Sequence, residues 1–472
     1  MLDFRALLAL RDARGELLRI HRRVHPRHEM PALMAQCEAR RQAVLFEQVE
    51  GSPFPVLGGL LNHLGTLGWA TGSAADEGFD EERLLARLDH ALAHRIAPRE
   101  LPASAPAAVK AVVIAGDAVN LARLPVPTVF EHDSGPFITG ACGITRNPFT
   151  GRLNVGIYRV LVLGAREIAV NAVPGSDLHR FYEEAARRGA AMDIALVLGA
   201  EPALLMAAVC RLPADESELE LAGGLLGRAL ELVRCETSAL QVPAGAEMVI
   251  EARVDFSRRI DNTLGEFAGQ YGTESAPVSV VQALTHRRDA IFHAVLAGRH
   301  AEHVTLGTMA TAGLRRALAQ ALQATLPPLA GLHVYLEPAL GSMAHVVLAL
   351  DKRDDAEPMA LADAAFATPV PLGAGQVPAR YIVKRVLVVD PDVDVHDRAD
   401  VEWALWTRTA RAAKFRVDAG IESWDLERCG RRGTGSLRVA VDATMDIADR
   451  ERLRRTAIPG AAAVRLADYL SV

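Results

Sequence analysis

The sequence lacks the surplus of positive charge that a nucleic-acid partner requires. Its 52 Lys and Arg are outnumbered by 58 Asp and Glu, a formal net charge of −6, whereas proteins that grip phosphate backbones present a basic face. Local groups such as Arg315–Arg316 and Arg452, Arg454 and Arg455 read as solvated helix faces. Long apolar runs are also missing. No stretch approaches the roughly 20 residues needed to cross a bilayer. The N-terminal MLDFRALLALRDARGELLRI carries acids early and has no uninterrupted apolar core, unlike a secretory signal. The five cysteines, Cys37, Cys142, Cys210, Cys235 and Cys429, are far apart, odd in number and without C-x-x-C spacing. That argues against a disulfide framework or a zinc finger and fits a reducing compartment, so the cytoplasm is the expected location. Aromatic residues make up only 5%, so the cores must rest on Ala, Val, Leu and Ile.

What is present is the balance of a globular protein: 50% hydrophobic and 23% charged over 472 residues. That length calls for two to four packed units. Residues 1–105 mix helical and strand signals and are expected to form an α/β domain. The Pro- and Ala-rich stretch 97–108 reads as a linker. Residues 106–305 are rich in β-branched and alternating runs, such as 112–115, 154–164, 194–198, 248–254 and 278–284. Helices interrupt them at Ser176-Asp177 and at Pro202. Residues 306–326 are expected to be a bridging helix, stopped by Pro327-Pro328, and 327–472 a C-terminal α/β domain.

Three segments carry candidate chemistry. The first is Arg152-Leu-Asn-Val-Gly-Ile-Tyr-Arg159. As a strand it would put Asn154, Gly156 and Tyr158 on one face and Val155, Ile157 and Arg159 on the other. An Arg among apolar neighbours needs an anionic partner, either a structural carboxylate or one belonging to a site. The second is Asp261-Asn-Thr-Leu-Gly-Glu266-Phe267. Two carboxylates near a Gly turn can push their pKa values apart and leave one as a proton donor, or can be a solvated acidic loop. The third is Glu216-Ser-Glu218-Leu-Glu220. Alternation would align three acids as oxygen ligands for a hard cation, and an ordinary edge strand has the same pattern.

Together these segments resemble the UbiD family of decarboxylases. The likeness begins in LDFRALLALRDARGELLRI and passes through NVGIYR, ELELAGGLLG and LGEFAGQYG to VKRVLVVDPDVDV. It implies a mixed α/β protein whose central split β-barrel binds prenylated FMN, between N- and C-terminal α/β domains joined by the bridging helix. It implies non-oxidative, reversible decarboxylation of an aromatic, heteroaromatic or α,β-unsaturated carboxylic acid through a covalent adduct with that flavin. Asn154, Val155, Ile157, Tyr158, Arg159 and Lys384 are the expected cofactor-binding residues. Arg159, Asp261 and Glu266 form the expected catalytic set, with Glu266 as the acid and Phe267 shaping the substrate pocket. Asn154 and Glu218 are expected to hold Mn2+ or Mg2+, with K+ beside it. The third metal ligand is Asp177 or His179: an Asp suits a hard cation, and it is also a natural helix cap. Asp261 stands where the family has a Glu, one methylene longer. The resemblance further implies a flavin prenyltransferase as cofactor supplier; charge and run length argue against a nucleic-acid or membrane partner, and the bridging helix and apolar C-terminal unit suggest a homodimer or larger assembly. Two alternatives stay open: a carboxylase or carboxylase-complex subunit running in reverse, and an inactive flavin-binding scaffold.

Overall fold

The computed structural model describes residues 2–73, 78–210, 212–213, 216–323, 329–335, 344–372, 375–424, 426–430, 435–456, 458–459 and 469. The chain opens with the helix Phe4–Ala13, capped by Asp3, whose carboxylate accepts the Ala6 N–H at 2.8 Å. Its apolar side (Phe4, Leu7, Leu8) packs on a four-stranded sheet ordered Leu17–Ile20, Ala43–Phe46, Val56–Gly58 and Phe292–Ala294. The last of these strands comes from far along the chain and ties the first unit to the second.

The centre of the molecule is a curled sheet of nine strands among the described residues. Its spine is a long hairpin, Met248–Gly265 against Tyr271–His286, with bulges near Glu251 and between Asp255 and Arg259. Bulges bend a strand and increase its twist, which lets so long a hairpin curl. Beside it runs Met192–Leu198, an almost wholly buried MDIALVL. Each such aliphatic side chain contributes about 1.5–3 kcal/mol on burial. The hairpin register sets Asn262 opposite Glu274 and Gly265 opposite Tyr271.

Two helices close the concave side. Pro202–Val209 is apolar all round and starts with Pro at its first position, as an internal helix should. It packs against the bridging helix Ala301–Gln323. That helix begins five residues earlier than the expected start at 306, because its polar first turn is held inside through the buried Glu302, which accepts N–H groups from Gly59 and Leu61, each at 2.9 Å. The expected stop at Pro327-Pro328 lies outside the described residues, as does the C-terminal tail apart from the exposed Tyr469.

The C-terminal unit is a five-stranded sheet ordered Leu329–Tyr335, Ala344–Leu350, Val383–Val389, Ser436–Ala443 and Phe415–Ile421, parallel through its middle. Its Ala344–Leu350 strand is buried on both faces, which is why it reads as a continuous apolar run.

Two local expectations give way. Residues 154–164 are two strands, Leu153–Ile157 and Val160–Val162, which pair with different neighbours. The chain turns at Tyr158 and Arg159, so strand alternation does not set where these side chains point. The acidic run 216–220 is not an edge strand but the entry to the helix Glu218–Leu226. Glu216 and Glu220 are drawn off by Arg95 (2.6 Å) and Arg152 (2.7 Å), leaving Glu218 alone inside.

Candidate active site

The turn after Leu153–Ile157 is packed by its own tyrosine. A Cβ on Gly156 would lie 2.4 Å from the Tyr158 hydroxyl, and one on Gly143, the facing residue of the neighbouring strand, 2.6 Å from the Tyr158 ring. The two glycines admit the ring, and the ring fixes the turn that presents Arg159. Tyr158 is half-buried, packed against the second core, and burial holds its hydroxyl well above the usual tyrosine pKa.

Arg159 reaches across the sheet to the hairpin turn. Its guanidinium donates to the Gly265 carbonyl and to the Glu266 carboxylate. Glu266 is held in place by its backbone: its N–H donates to Gln270 O at 2.8 Å, and its carbonyl accepts from Gly269 N at 2.9 Å. Arg428, from a segment of the C-terminal unit, approaches from the other side. Its Nη2 lies 3.3 Å from Glu266 Oε1 and 3.1 Å from Glu274 Oε1. Two guanidiniums and two carboxylates thus alternate in a largely buried row. Such a set is stable only while complete, since one unpaired buried charge costs about 3–5 kcal/mol. Beneath it, the Asn171 and Asn262 amides exchange hydrogen bonds of 2.8 and 3.0 Å.

Arg159, Glu266, Glu274 and Asn171 face one cavity of about 360 Å³. Apolar side chains make most of its wall: Leu205 from Pro202–Val209, Leu306 and Ala310 from the bridging helix, and Trp424 and Leu426 from the C-terminal unit. Phe267 lines it as expected, with its ring edge-on to His303 at 4.9 Å. Burial and the Arg159 charge push His303 down to about 3, so it is neutral at ordinary pH. Its Nδ1 accepts the Gly298 N–H at 3.0 Å, which puts the ring proton on Nε2.

Next to this cavity, where Ser176 caps the helix Asp177–Arg188, lies a smaller polar one lined by Asn154, Asp177 and Glu218. Glu218 Oε1 accepts from Asn154 Nδ2 at 3.1 Å and Oε2 from Val155 N at 3.2 Å. Burial, with Asp177 adding to it, pushes the Glu218 carboxyl up to about 7. Asn154 Oδ1 is buried without a hydrogen-bond partner. An orphaned amide oxygen beside two carboxylates is the donor set of a hard divalent cation, so these residues fit the expected metal.

The structure places four of the expected residues differently. Asp261 does not join Arg159 and Glu266. On this strand Asn262, Leu264 and Glu266 turn inward, so Asp261, five residues from Glu266, faces out and is exposed. Glu274, on the partner strand opposite Asn262, is the second acid of the cavity. His179 does not line the cavity of Asn154, Asp177 and Glu218: it lies in the first turn of its helix, 3.7 Å from Glu183, and faces the neighbouring interdomain cleft that Asp261 also lines. Lys384 does not line the cavity, because its ammonium is taken by Glu427 and by Ser436 Oγ at 2.6 Å. The Val155 side chain is buried in the core, and only its N–H serves the site. Sequence reasoning missed Glu274, Arg428 and His303. For Glu274 a signal exists, since a tight turn at 266–270 folds YGTES back along the DNTLG strand. Arg428 and His303 have no such local signal.

The comparisons agree with this architecture. Residues 101–300 match the 3-octaprenyl-4-hydroxybenzoate carboxy-lyase Rift-related domain, residues 308–443 its C-terminal domain and residues 8–84 its N-terminal domain. The UbiD-class enzyme HmfF from Pelotomaculum thermopropionicum, solved in complex with FMN, superposes with a TM-score of 0.86 at 32% identity, covering 99% of this chain and 100% of that one. A form of it solved with prenylated FMN gives 0.82. Vanillic acid decarboxylase from Sedimentibacter hydroxybenzoicus, in closed form, shares the fold at 23% identity, with a TM-score of 0.80 over 98% of this chain and 97% of that one. Anhydromevalonate phosphate decarboxylase from Methanosarcina mazei is 28% identical over 345 residues, 72% of this chain and 76% of its own. No helix among the described residues is long and apolar enough to cross a membrane. With three matched domains in order along one chain, the protein belongs to the UbiD family of carboxy-lyases.

Proposed function

We propose that this protein removes CO2 from an aromatic, heteroaromatic or α,β-unsaturated carboxylic acid, reversibly and without net oxidation, using prenylated FMN bound in the 360 Å³ cavity. When bound, that flavin supplies the electron sink that a carbanion on an sp2 carbon lacks. Asn154, Asp177 and Glu218 would hold Mn2+ or Mg2+, which together with K+ would supply positive charge for the cofactor phosphate. Ile157, Tyr158 and Arg159 line the flavin's side of the cavity.

The residues of the chain do the rest. Arg159 orients the substrate carboxylate and keeps Glu266 in place. Glu266 delivers the proton that replaces CO2, and Glu274, tied to it through Arg428, balances the second guanidinium. His303 offers a neutral N–H donor to the substrate, and Phe267 limits its size. Leu205, Leu306 and Trp424 exclude water from the reacting carbon. The protein works in the cytoplasm as a homodimer or larger assembly and takes its cofactor from a flavin prenyltransferase.

The observation that carries this reading is the Arg159–Glu266 ion pair facing an apolar cavity beside the oxygen donors Asn154, Asp177 and Glu218. The test is to produce the chain together with a flavin prenyltransferase, record its absorption spectrum and screen candidate acids for CO2 release and for hydrogen exchange in D2O. Release or exchange with one acid class supports the assignment and names the substrate. A flavin-loaded protein inert toward every acid returns the chain to the role of a binding scaffold.

A further inference from the structure

Away from the cavity, three potential metal ligands meet where the first and last units touch. Glu81 is the first residue of the helix Glu81–Ala93, His333 lies on the strand Leu329–Tyr335, and His396 precedes the helix Arg398–Arg408. One donor atom from each lies within 4.8 Å of the other two. The His333 and His396 rings are 4.7 Å apart, tilted 56° to each other. Glu81 and His333 are each only 12% exposed, while His396, at 42%, opens to solvent.

The hydrogen bonding is incomplete in a way that points inward. His333 Nδ1 is 2.9 Å from Glu81 Oε2, yet out of line for a hydrogen bond, so Nδ1 is buried without a partner. The other carboxylate oxygen, Oε1, is turned to Arg315 at 3.6 Å. A His396 nitrogen completes the group around a common point, and its Nε2 also lies 3.8 Å from Glu82 Oε1. Metal–nitrogen and metal–oxygen bonds of about 2.0–2.2 Å put tetrahedral ligands roughly 3.3 Å apart, a spacing that small side-chain rotations reach from here. Glu82 and Asp394 stand at the rim with Arg315, so carboxylates outnumber cations around the point.

We propose that Glu81, His333 and His396 form a metal centre for a divalent transition ion of Zn2+ type, with water in the fourth position. Two imidazoles and one carboxylate select such an ion over Mg2+ or Mn2+, which prefer all-oxygen sets like Asn154, Asp177 and Glu218. The centre staples the helix Glu81–Ala93 to the C-terminal sheet. That sheet's unit also supplies Trp424 and Leu426 to the cavity and Arg428 to Glu266, so the staple helps set how the C-terminal unit sits over it.

The experiment uses full-length, tag-free, flavin-free protein in chelator-treated buffer, titrated with Co2+ as the probe. A tetrahedral site with nitrogen ligands gives Co2+ a strong visible d–d band, and an octahedral all-oxygen site gives a faint one. The strong band is expected at one equivalent in the wild type, unchanged in Glu218→Gln, and lost in His396→Gln and His333→Gln with at least about a tenfold weaker affinity. His396 is partly exposed, so its variant keeps the fold, which circular dichroism verifies. A wild type without the band, or a band that survives in both His variants, overturns the proposal.

Discussion

Arg428 Nη2 stands 3.3 Å from Glu266 Oε1, so the carboxylate at the centre of the cavity is gripped by guanidiniums from two different units of the chain. Arg159 belongs to the same sheet as Glu266. Arg428 arrives only when the C-terminal unit is in place, held there by the Lys384–Glu427 pair next to it in sequence. The position of that unit is thereby linked to the charge balance of the proton donor. Charge-assisted hydrogen bonds of this kind contribute about 1.5–3 kcal/mol each. Arg428→Ala is expected to lower kcat about 10–100-fold with flavin content unchanged. Steady-state kinetics and the flavin absorption spectrum measure both. An unchanged kcat would show that Arg428 is a bystander.

The two faces of the hairpin make opposite predictions. Glu266→Gln keeps the shape of the carboxyl but has no proton to deliver, so turnover is expected to fall by about 10²–10⁴ while the flavin spectrum persists. Glu274→Gln leaves Arg428 underbalanced and is expected to lose activity to a smaller degree. Asp261→Asn, on the exposed face, is expected to stay within about threefold of wild type. An Asp261→Asn loss as large as that of Glu266→Gln would reinstate Asp261 as a member of the catalytic set.

This hairpin also shows what a sequence can and cannot disclose. Asn154, Glu218, Arg159 and Glu266 were legible because each sits in a short motif, and the structure brings them to two adjoining cavities. Asp261 misled because five positions along a strand reverse the face, a fact hidden until the register past the Asp255–Arg259 bulge is known. The 216–220 acids imitate strand alternation and become a helix start, because the apolar Leu219, Leu221 and Ala222 find buried packing only in helical spacing. Arg428 and His303 reach the site through tertiary packing alone, and no local pattern encodes that.

Flavin retention separates the two metal-ligand assignments. Glu218→Gln and Asp177→Asn are expected to yield colourless protein, and His179→Ala to stay coloured, since His179 faces the interdomain cleft. The Glu218 carboxyl, raised to about 7 by burial, must lose its proton before it can bind a cation. Below that pH each unit costs about tenfold in apparent Mn2+ affinity, and above it the affinity levels off. A titration of metal-free protein with Mn2+ at several pH values checks the slope. A flat line from pH 5 to pH 8 would remove Glu218 from the ligand set.

Glu38 tests how the start of the bridging helix is held. Its Oε2 accepts the Ala301 N–H at 2.8 Å, and Oε1 is buried without a partner. Burial first, then the nearby Glu302 charge, raise its carboxyl from 4.5 to about 8. The folded state therefore keeps a proton on Glu38 that the unfolded chain has released at any pH between those two values. Stability from this group is fully present below pH 4.5. It declines as pH rises toward 8, by about 1.4 kcal/mol per unit at most. Gln at position 38 keeps an acceptor for Ala301 and has no proton to lose. Glu38→Gln is thus expected to match or slightly trail the wild type near pH 5 and to melt at a higher temperature than it at pH 8, the gap widening with pH. Thermal melts of both proteins across that window decide it, and parallel curves would mean that Glu38 is ionised in the fold and that the packing around Ala301 accommodates its charge.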